Sequence, residues 1–533
     1  MKTPEVAICL SGGGFRAAAF HLGTLSYLSH LKMADGSSFL NMVNTISTIS
    51  GGTITGLWYL SGLCNGVEDD ESFKILYQKL NSVDIPTVAL DSFVRNQKDV
   101  HSLIKQMTDV YDDMFFDGKT LGLIFDNIEK IHVHHFSANG TDFSCALPFR
   151  YQATKAIENA KEEYRYGFVG NNNNNIPRHI ARQIRLSEIL ATSSCFPGGF
   201  EPLVFPTDFK LSANEKNAEY VKDMQPVGLM DGGIVDNQGL EYVKHAEKQL
   251  EYNDPDAKYR NVIDLVIASD VSSPYMKPYK ANLFSGMKNI SINALMHGFY
   301  IAAALLITAD IASVGKIDYF WTGVLTTLSL ISLTAAILVH IIRHKADGMI
   351  TESPLKKCKK SIRRLTVNSI INLLINRGTS LLMLANTVFM KNTRRMSYDM
   401  MYNDSRWNNR LIMNAIYELR PGEKWQLKYK SGELPEWMKP SEVIQQNSKK
   451  AANMGTTLWF TDNDKSNRVP EAIIATGQYN MCWNLIEYIE RLERDKSNTD
   501  ETHELIIKCK TQLTEDWMKF EKDPMWLFKE KMV

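Results

Sequence analysis

Tyr319 to Ile342 reads YFWTGVLTTLSLISLTAAILVHII, without a single Asp, Glu, Lys or Arg. A helix over it, rising about 1.5 Å per residue, can cross a hydrocarbon core about 30 Å thick. Across the wider stretch from Leu295 to Ile342 only Asp310, Lys316 and Asp318 are charged, where the chain-wide 23% would give about eleven. The pattern points to a transmembrane helix over 319–342 and a second limb over 295–314. Asp310 lies near the far end of that limb, where a carboxylate can reach the interface. A buried pair of core helices is the alternative, against which the length of the second segment argues. Residues 315–318 would be the tight link of a helical hairpin, with Tyr319, Phe320 and Trp321 as its interfacial aromatic belt. Both flanks then lie on one side. From Arg343 to Arg364 eight Lys/Arg face two acids, a local balance of +6. The positive-inside rule makes that side the cytoplasm, and the basic run suits anionic head groups, with a solvated helix face as the plainer reading.

The rest of the chain is unlike this stretch. Over 533 residues, 60 Lys+Arg balance 60 Asp+Glu, which excludes a polycation working on nucleic acid or an acidic solvated tail. With 44% hydrophobic residues the chain has apolar surface enough to fold. Its seven cysteines are scattered without zinc-site or CxxC spacing, which fits thiols in a reducing compartment. The apolar run at Val6 to Leu10 is too short for a secretory signal, so the bulk of the chain is expected to start in the cytosol.

Local patterns place strands at Glu5 to Leu10, Val43 to Ile49 and Val262 to Ser269. Helices are expected from Ala17 to about Leu31, Gly51 to about Leu63, Ser187 to Thr192 and Gln478 to Arg494. Strands alternating with helices imply an α/β sheet covered on both faces. The five asparagines from Asn171 to Asn175 read as a flexible loop, and past Thr366 the chain is mostly helical.

Ser11-Gly12-Gly13-Gly14-Phe15-Arg16 joins the first strand to the first helix, where consecutive glycines can aim backbone N–H groups at an anion. A dinucleotide site would need an acid ending a second strand about 20 residues on; Asp35 precedes that strand instead. A Walker loop would need Lys-Ser/Thr after the glycines. The remaining use is an oxyanion hole, which asks for a nucleophile at a nearby strand-to-helix turn. Ser50 in Thr48-Ile49-Ser50-Gly51-Gly52 occupies such a turn, with Gly52 at one of the two small positions of a nucleophile elbow and Thr48 where glycine is usual; a Ser/Thr-rich helix N-cap is the alternative. Asp231 in Asp231-Gly232-Gly233 can serve as base to a serine if packing brings the two together. His21, on the first helix, is a fallback base.

Taken in this order, GGGxR, xSxG and DGG resemble the patatin-like phospholipase family, most closely over Val6 to Leu63 and Leu186 to Asn237. The segment Ile189 to Pro197 is similar to the family's approach to the DGG strand. Fainter similarity at Gly455 to Trp459 and Ile474 to Tyr479 points to bacterial and neuropathy-target-esterase-like lipid acyl hydrolases. The resemblance implies a three-layer α/β/α patatin-like fold and a Ser-Asp dyad without metal or cofactor. In it Ser50 is the nucleophile, Asp231 the base, Gly12, Gly13 and Gly14 the oxyanion donors, and Arg16 the residue ordering their loop. Because an aspartate is a weak base near pH 4, the site should be dry enough to raise it.

These readings combine into a catalytic core over 1–275, a transmembrane hairpin over 276–345, and a cytosolic, mostly helical part over 346–533 that completes the catalytic fold and extends it. The expected protein is a two-helix membrane protein with both terminal parts cytoplasmic. It hydrolyses acyl esters of phospholipids or lysophospholipids, has membrane phospholipids as partners and no nucleic acid, and leaves homo-oligomerisation open. An acyltransferase on the same dyad, or a non-catalytic membrane scaffold or effector, are the alternatives.

Overall fold

Val6–Leu10 is apolar on both sides, as a strand must be when helices cover both faces of its sheet. In the computed structural model it is β1, completely buried. The structure describes residues 4–533 apart from 83–84, 96–101, 157–165, 213–214, 254–261, 273–279, 281–289, 314, 317, 352–364 and 495–500. They form two units, 1–276 with 385–533, and 277–384.

In the first unit the strands are β1, β2 (Val43–Ile49), β3 (His135–Asp142), β4 (Leu147–Thr154), β5 (Val169–Gly170), β6 (Asn175–Ile176), β7 (Leu203–Phe205), β8 (Val227–Asp231), β9 (Leu265–Asp270) and β10 (Leu411–Ala415). They join in the order β10-β9-β1-β2-β3-β4-β5-β6, with β8 on the end of β3 and β7 on β8. From β10 to β3 the pairing is parallel; β4, β5, β6, β7 and β8 pair antiparallel. Alternation along β1 separates the faces: Val6, Ile8 and Leu10 enter the main core, while Ala7 and Cys9 join a smaller cluster with Leu240, Val243, Met401 and Trp407. This is an α/β sheet between two helical layers.

Two helices follow the first two strands directly: α1 (Gly14–His30) and α2 (Gly51–Cys64). Both are rich in Gly, Ala, Thr and Leu and are buried over most of their surface, the mark of a helix enclosed on several sides. On its far side α1 meets helix Val469–Arg494 at a glycine-to-glycine crossing. A Cβ on Gly23 would lie 2.0 Å from the Ile474 carbonyl oxygen, and one on Gly477 would lie 2.2 Å from that of Phe20. The C-terminal part also supplies the edge strand β10, so it completes the sheet.

One local expectation in this unit changes. The Asn171–Asn175 region is a built turn: Asn171 is buried, and the side-chain amides of Asn171 and Asn174 both donate to Asp142 Oδ2, at 3.1 and 3.0 Å. A local run of asparagines carries no sign of that remote carboxylate.

In the second unit the limb expected over 295–314 is helix Ile292–Ser313, packed against helix Tyr319–Thr351. Thr326 Oγ1 donates to Asp310 Oδ2 at 2.7 Å and Ser332 Oγ to the Phe299 carbonyl at 3.0 Å. The facing helix thus holds Asp310 by one carboxylate oxygen, Oδ2, while Oδ1 is buried without a hydrogen-bond partner among the described residues. Among the described residues two helices are long and apolar enough to cross a membrane, Tyr319–Ile341 and Val367–Tyr402. The apolar part of the first limb, His297–Ser313, is shorter than that. Val367–Tyr402 escapes a reading by charge-free runs because Arg377, Lys391, Arg394, Arg395 and Asp399 interrupt it. Of the basic stretch, residues 352–364 lie outside the described residues.

The helix crossing yields a prediction. An added methyl at Gly23 meets a backbone oxygen that cannot rotate away, so the helices must separate. Overpacking costs typically 1–3 kcal/mol, offset by about 0.5–1 kcal/mol of helix propensity. Gly23→Ala and Gly477→Ala should each lower stability by about 2 kcal/mol, read as an earlier thermal or denaturant midpoint.

Candidate active site

Ser50 sits between the end of β2 and the first residue of α2 with φ 50° and ψ −121°. A non-glycine residue is held there only when its surroundings over-determine it, at a cost of about 1–3 kcal/mol. The Ser50 amide donates to Ser193 Oγ at 2.8 Å, and Ser193 Oγ donates to the Asn139 carbonyl at 2.8 Å. On the other side the backbone closes in: a Cβ on Gly51 would lie 2.1 Å from the Gly14 carbonyl oxygen, and one on Gly52 would lie 2.2 Å from that of Leu10. The two strand-to-helix turns touch backbone to backbone, and only glycine allows it.

Thr48, the departure from the usual elbow, is accommodated by a residue that sequence reasoning missed. A Cβ on Gly56, one turn into α2, would lie 2.3 Å from Thr48 Cγ2. The glycine lost at position 48 is thus made up at position 56. Thr48 Oγ1 in turn accepts from Thr53 Oγ1 at 3.1 Å, which fixes its rotamer. The available signal was the Gly52-Thr-Ile-Thr-Gly56 spacing, which puts both glycines on one face of a helix.

Asp231 ends β8, where antiparallel pairing sets Asp231 opposite Gly140, next in β3 to Asn139, the partner of Ile49. The pairing carries Asp231 to Ser50 across three strands. The Ser50 side chain stands as a hydrogen-bonding neighbour of the Asp231 carboxylate, which accepts the Gly233 amide at 2.7 Å on Oδ1. Ser50 is 8% exposed and Asp231 2%. Burial pushes the Asp231 carboxyl up to about 6, against the lowering effect of those two hydrogen bonds. Gly232 is needed because a Cβ there would lie 2.4 Å from the Asn139 carbonyl oxygen.

The glycine loop lies against Ser50: a Cβ on Gly12 would be 3.1 Å from Ser50 Cβ. Its three amides are not equivalent. That of Gly12 is taken by the Asn237 carbonyl at 3.2 Å, and that of Phe15 by the Thr457 carbonyl at 2.8 Å. Among the described residues no backbone acceptor takes those of Gly13 and Gly14, at φ 148° and 61°. Arg16 reaches the Met454 carbonyl with Nη1 and Thr456 Oγ1 with Nη2, tying the loop to the C-terminal part. Burial lowers its pKa, opposed by the charge of Asp270.

His21 is no base for Ser50. Both ring nitrogens are occupied, Nδ1 by Ser269 Oγ at 2.8 Å and Nε2 by the Ser11 carbonyl at 2.9 Å. Burial lowers it to about 4, so the ring is neutral at physiological pH. No group of three or more His, Cys, Asp or Glu suited to a metal occurs among the described residues. In the same unit, Arg394 Nε pairs with buried Asp270 Oδ2 at 2.6 Å, and Thr393 Oγ1 donates to the Ile234 carbonyl at 3.3 Å.

The Thr48–Gly56 fit is testable by a double-mutant cycle. Gly56→Ala should destabilise the elbow by about 1–3 kcal/mol, whereas Thr48→Gly/Gly56→Ala should recover most of the loss, a coupling that thermal unfolding of the four proteins measures.

A family model described as Patatin-like phospholipase matches residues 8–244. No curated protein matches the chain. Among solved structures, human GIVD cytosolic phospholipase A2, in complex with a methyl gamma-linolenyl fluorophosphonate inhibitor and terbium chloride, aligns at 11% identity with a TM-score of 0.38. The alignment covers 96% of this chain and 60% of that one. The chain carries a patatin-like phospholipase domain over residues 8–244.

Proposed function

We propose that the protein is a serine lipid acyl hydrolase that cleaves acyl esters of phospholipids or lysophospholipids at a membrane surface. The observation that carries the reading is Ser50, at a strained strand-to-helix turn, beside a buried Asp231 within a patatin-like domain. Ser50 Oγ attacks the ester carbonyl carbon as Asp231 takes its proton. The carbonyl oxygen becomes an oxyanion held by the amides of Gly13 and Gly14. Collapse expels the alcohol, to which Asp231 returns the proton, and water then releases the acyl group by the same steps. Raising the Asp231 carboxyl to about 6 makes it a better base than an ordinary aspartate while leaving it ionised near neutrality.

The membrane part of the reading rests on the apolar helices of residues 277–384. Residues before and after that segment belong to one compact unit. A segment leaving and re-entering one folded body must cross a bilayer an even number of times, so both of its flanks lie on one side. The tether holds the enzyme at its substrate without specific affinity.

Ser50→Ala and Asp231→Asn should each lower fatty-acid release from phosphatidylcholine vesicles by on the order of a thousandfold or more, with the proteins still folded. Ser50→Ala should also abolish labelling by a fluorophosphonate. Because only the ionised carboxylate can accept the proton, kcat/KM should rise with pH through a midpoint of about 6 and fall about tenfold per unit below it. Wild-type release from either variant would overturn the dyad.

A further inference from the structure

His21 is buried, bound at both nitrogens, and unused by the chemistry above. Its tautomer follows from its partners. The Ser11 carbonyl can only accept, so Nε2 carries the proton, and Nδ1 of the neutral ring accepts from the Ser269 hydroxyl. Further buried polar groups adjoin Ser269, although the Thr24 hydroxyl itself donates to the Phe20 carbonyl at 3.1 Å. Thr24 Oγ1 lies 3.2 Å from Ser269 Oγ, Asn414 Nδ2 donates to Thr24 Oγ1 at 2.9 Å, and Asn484 Nδ2 donates to Asn414 Oδ1 at 3.3 Å. A line of buried side chains from α1, β9, β10 and helix Val469–Arg494 thus ends on one backbone carbonyl.

That carbonyl belongs to the Ser11–Gly12 peptide, whose N–H is held at the opposite end by the Asn237 carbonyl at 3.2 Å. The peptide plane is fixed from both sides, at the root of the loop that faces Ser50. Gly13 and Gly14, beyond it, have positive φ and no side chains to hold them in place.

We infer that His21 is a positioning residue for this reaction: its Nε2–H, with the Asn237 carbonyl opposite, clamps the Ser11–Gly12 peptide so that the Gly13 and Gly14 amides stay aimed at the developing oxyanion. The inference rests on the acyl-hydrolase reading. It assigns Gly12 to the frame of the oxyanion hole instead of its lining, and an aimed loop acts on the transition state more than on the bound ester.

The test uses the full chain in detergent with monomeric p-nitrophenyl butyrate, each protein normalised to folded enzyme by size exclusion and circular dichroism. His21→Leu removes the donor and should lower kcat by about 10–100-fold with KM within about twofold. His21→Gln, whose amide N–H can reach the same carbonyl, should return kcat to within about threefold of wild type. A packing role alone would lower yield or stability and leave the kcat of folded protein unchanged. Should His21→Leu fail to fold, Ser269→Ala decides: loss of the hydroxyl that sets the tautomer should cut kcat several-fold, again at constant KM. If kcat stays within about twofold of wild type in the folded variant tested while Ser50→Ala is inactive, the clamp is wrong and the hydrolase reading stands. If Ser50→Ala itself retains wild-type turnover, both fall.

Discussion

Two backbone turns in direct contact govern the architecture of the site. The Gly14 carbonyl lies where a side chain on Gly51 would begin, and the Leu10 carbonyl where one on Gly52 would begin. Such an approach is open only to glycine, and it needs β1 and β2 adjacent and parallel with both helices leaving on the same side. Once that contact is made, the loop amides and the Ser50 hydroxyl are neighbours, and the remaining parts of the site are set around them. Thr48 shows how strict the packing is: a β-branched residue inside the elbow is matched by a glycine on the facing helix turn.

Dryness is the second condition. An aspartate in water is a poor base for a hydroxyl, and burial brings Asp231 to about 6. Burying so many polar groups is tolerable because they are paired. Ser193 bridges the Ser50 amide to β3, Thr141 Oγ1 donates to the Asp231 carbonyl at 2.8 Å, and the Cys195 carbonyl takes the Asp231 amide at 2.9 Å. Much of this pairing comes from outside the residues that the family model matches. Thr457, Met454 and Thr456 hold the glycine loop, Arg394 neutralises Asp270, and the Gly477 crossing seats α1. The C-terminal third is therefore part of the same folded unit as the residues before the apolar segment.

The legibility of this chain in its sequence follows the range of the forces involved. Ser50, Gly51 and Gly52 announced themselves because a sharp turn with positive φ needs small neighbours within two residues. The Asn171–Asn175 turn did not, since its meaning lies in Asp142, nearly thirty residues away. Val367–Tyr402 was hidden because charges from Arg377 to Asp399 break it up: it has the length for a membrane crossing but no charge-free run to reveal it. Gly56 was visible in principle, one helical turn past the elbow, but its role depends on what Thr48 does with its methyl group.

By itself, then, the sequence determined the α/β plan, the glycine turns, the order of the three motifs and the charge-free stretch at Tyr319 to Ile342, each written by a local requirement of backbone conformation or solvation. Tertiary structure decided how those pieces meet. Antiparallel pairing of β8 with β3 delivers Asp231 to Ser50, the Asn237 carbonyl removes the Gly12 amide from the donor set, and the occupied nitrogens of His21 take it out of contention as a base. These depend on register and on contacts between residues hundreds of positions apart. Hydrophobic periodicity assigns a residue to a face of its own element but carries no information about which distant group will stand opposite.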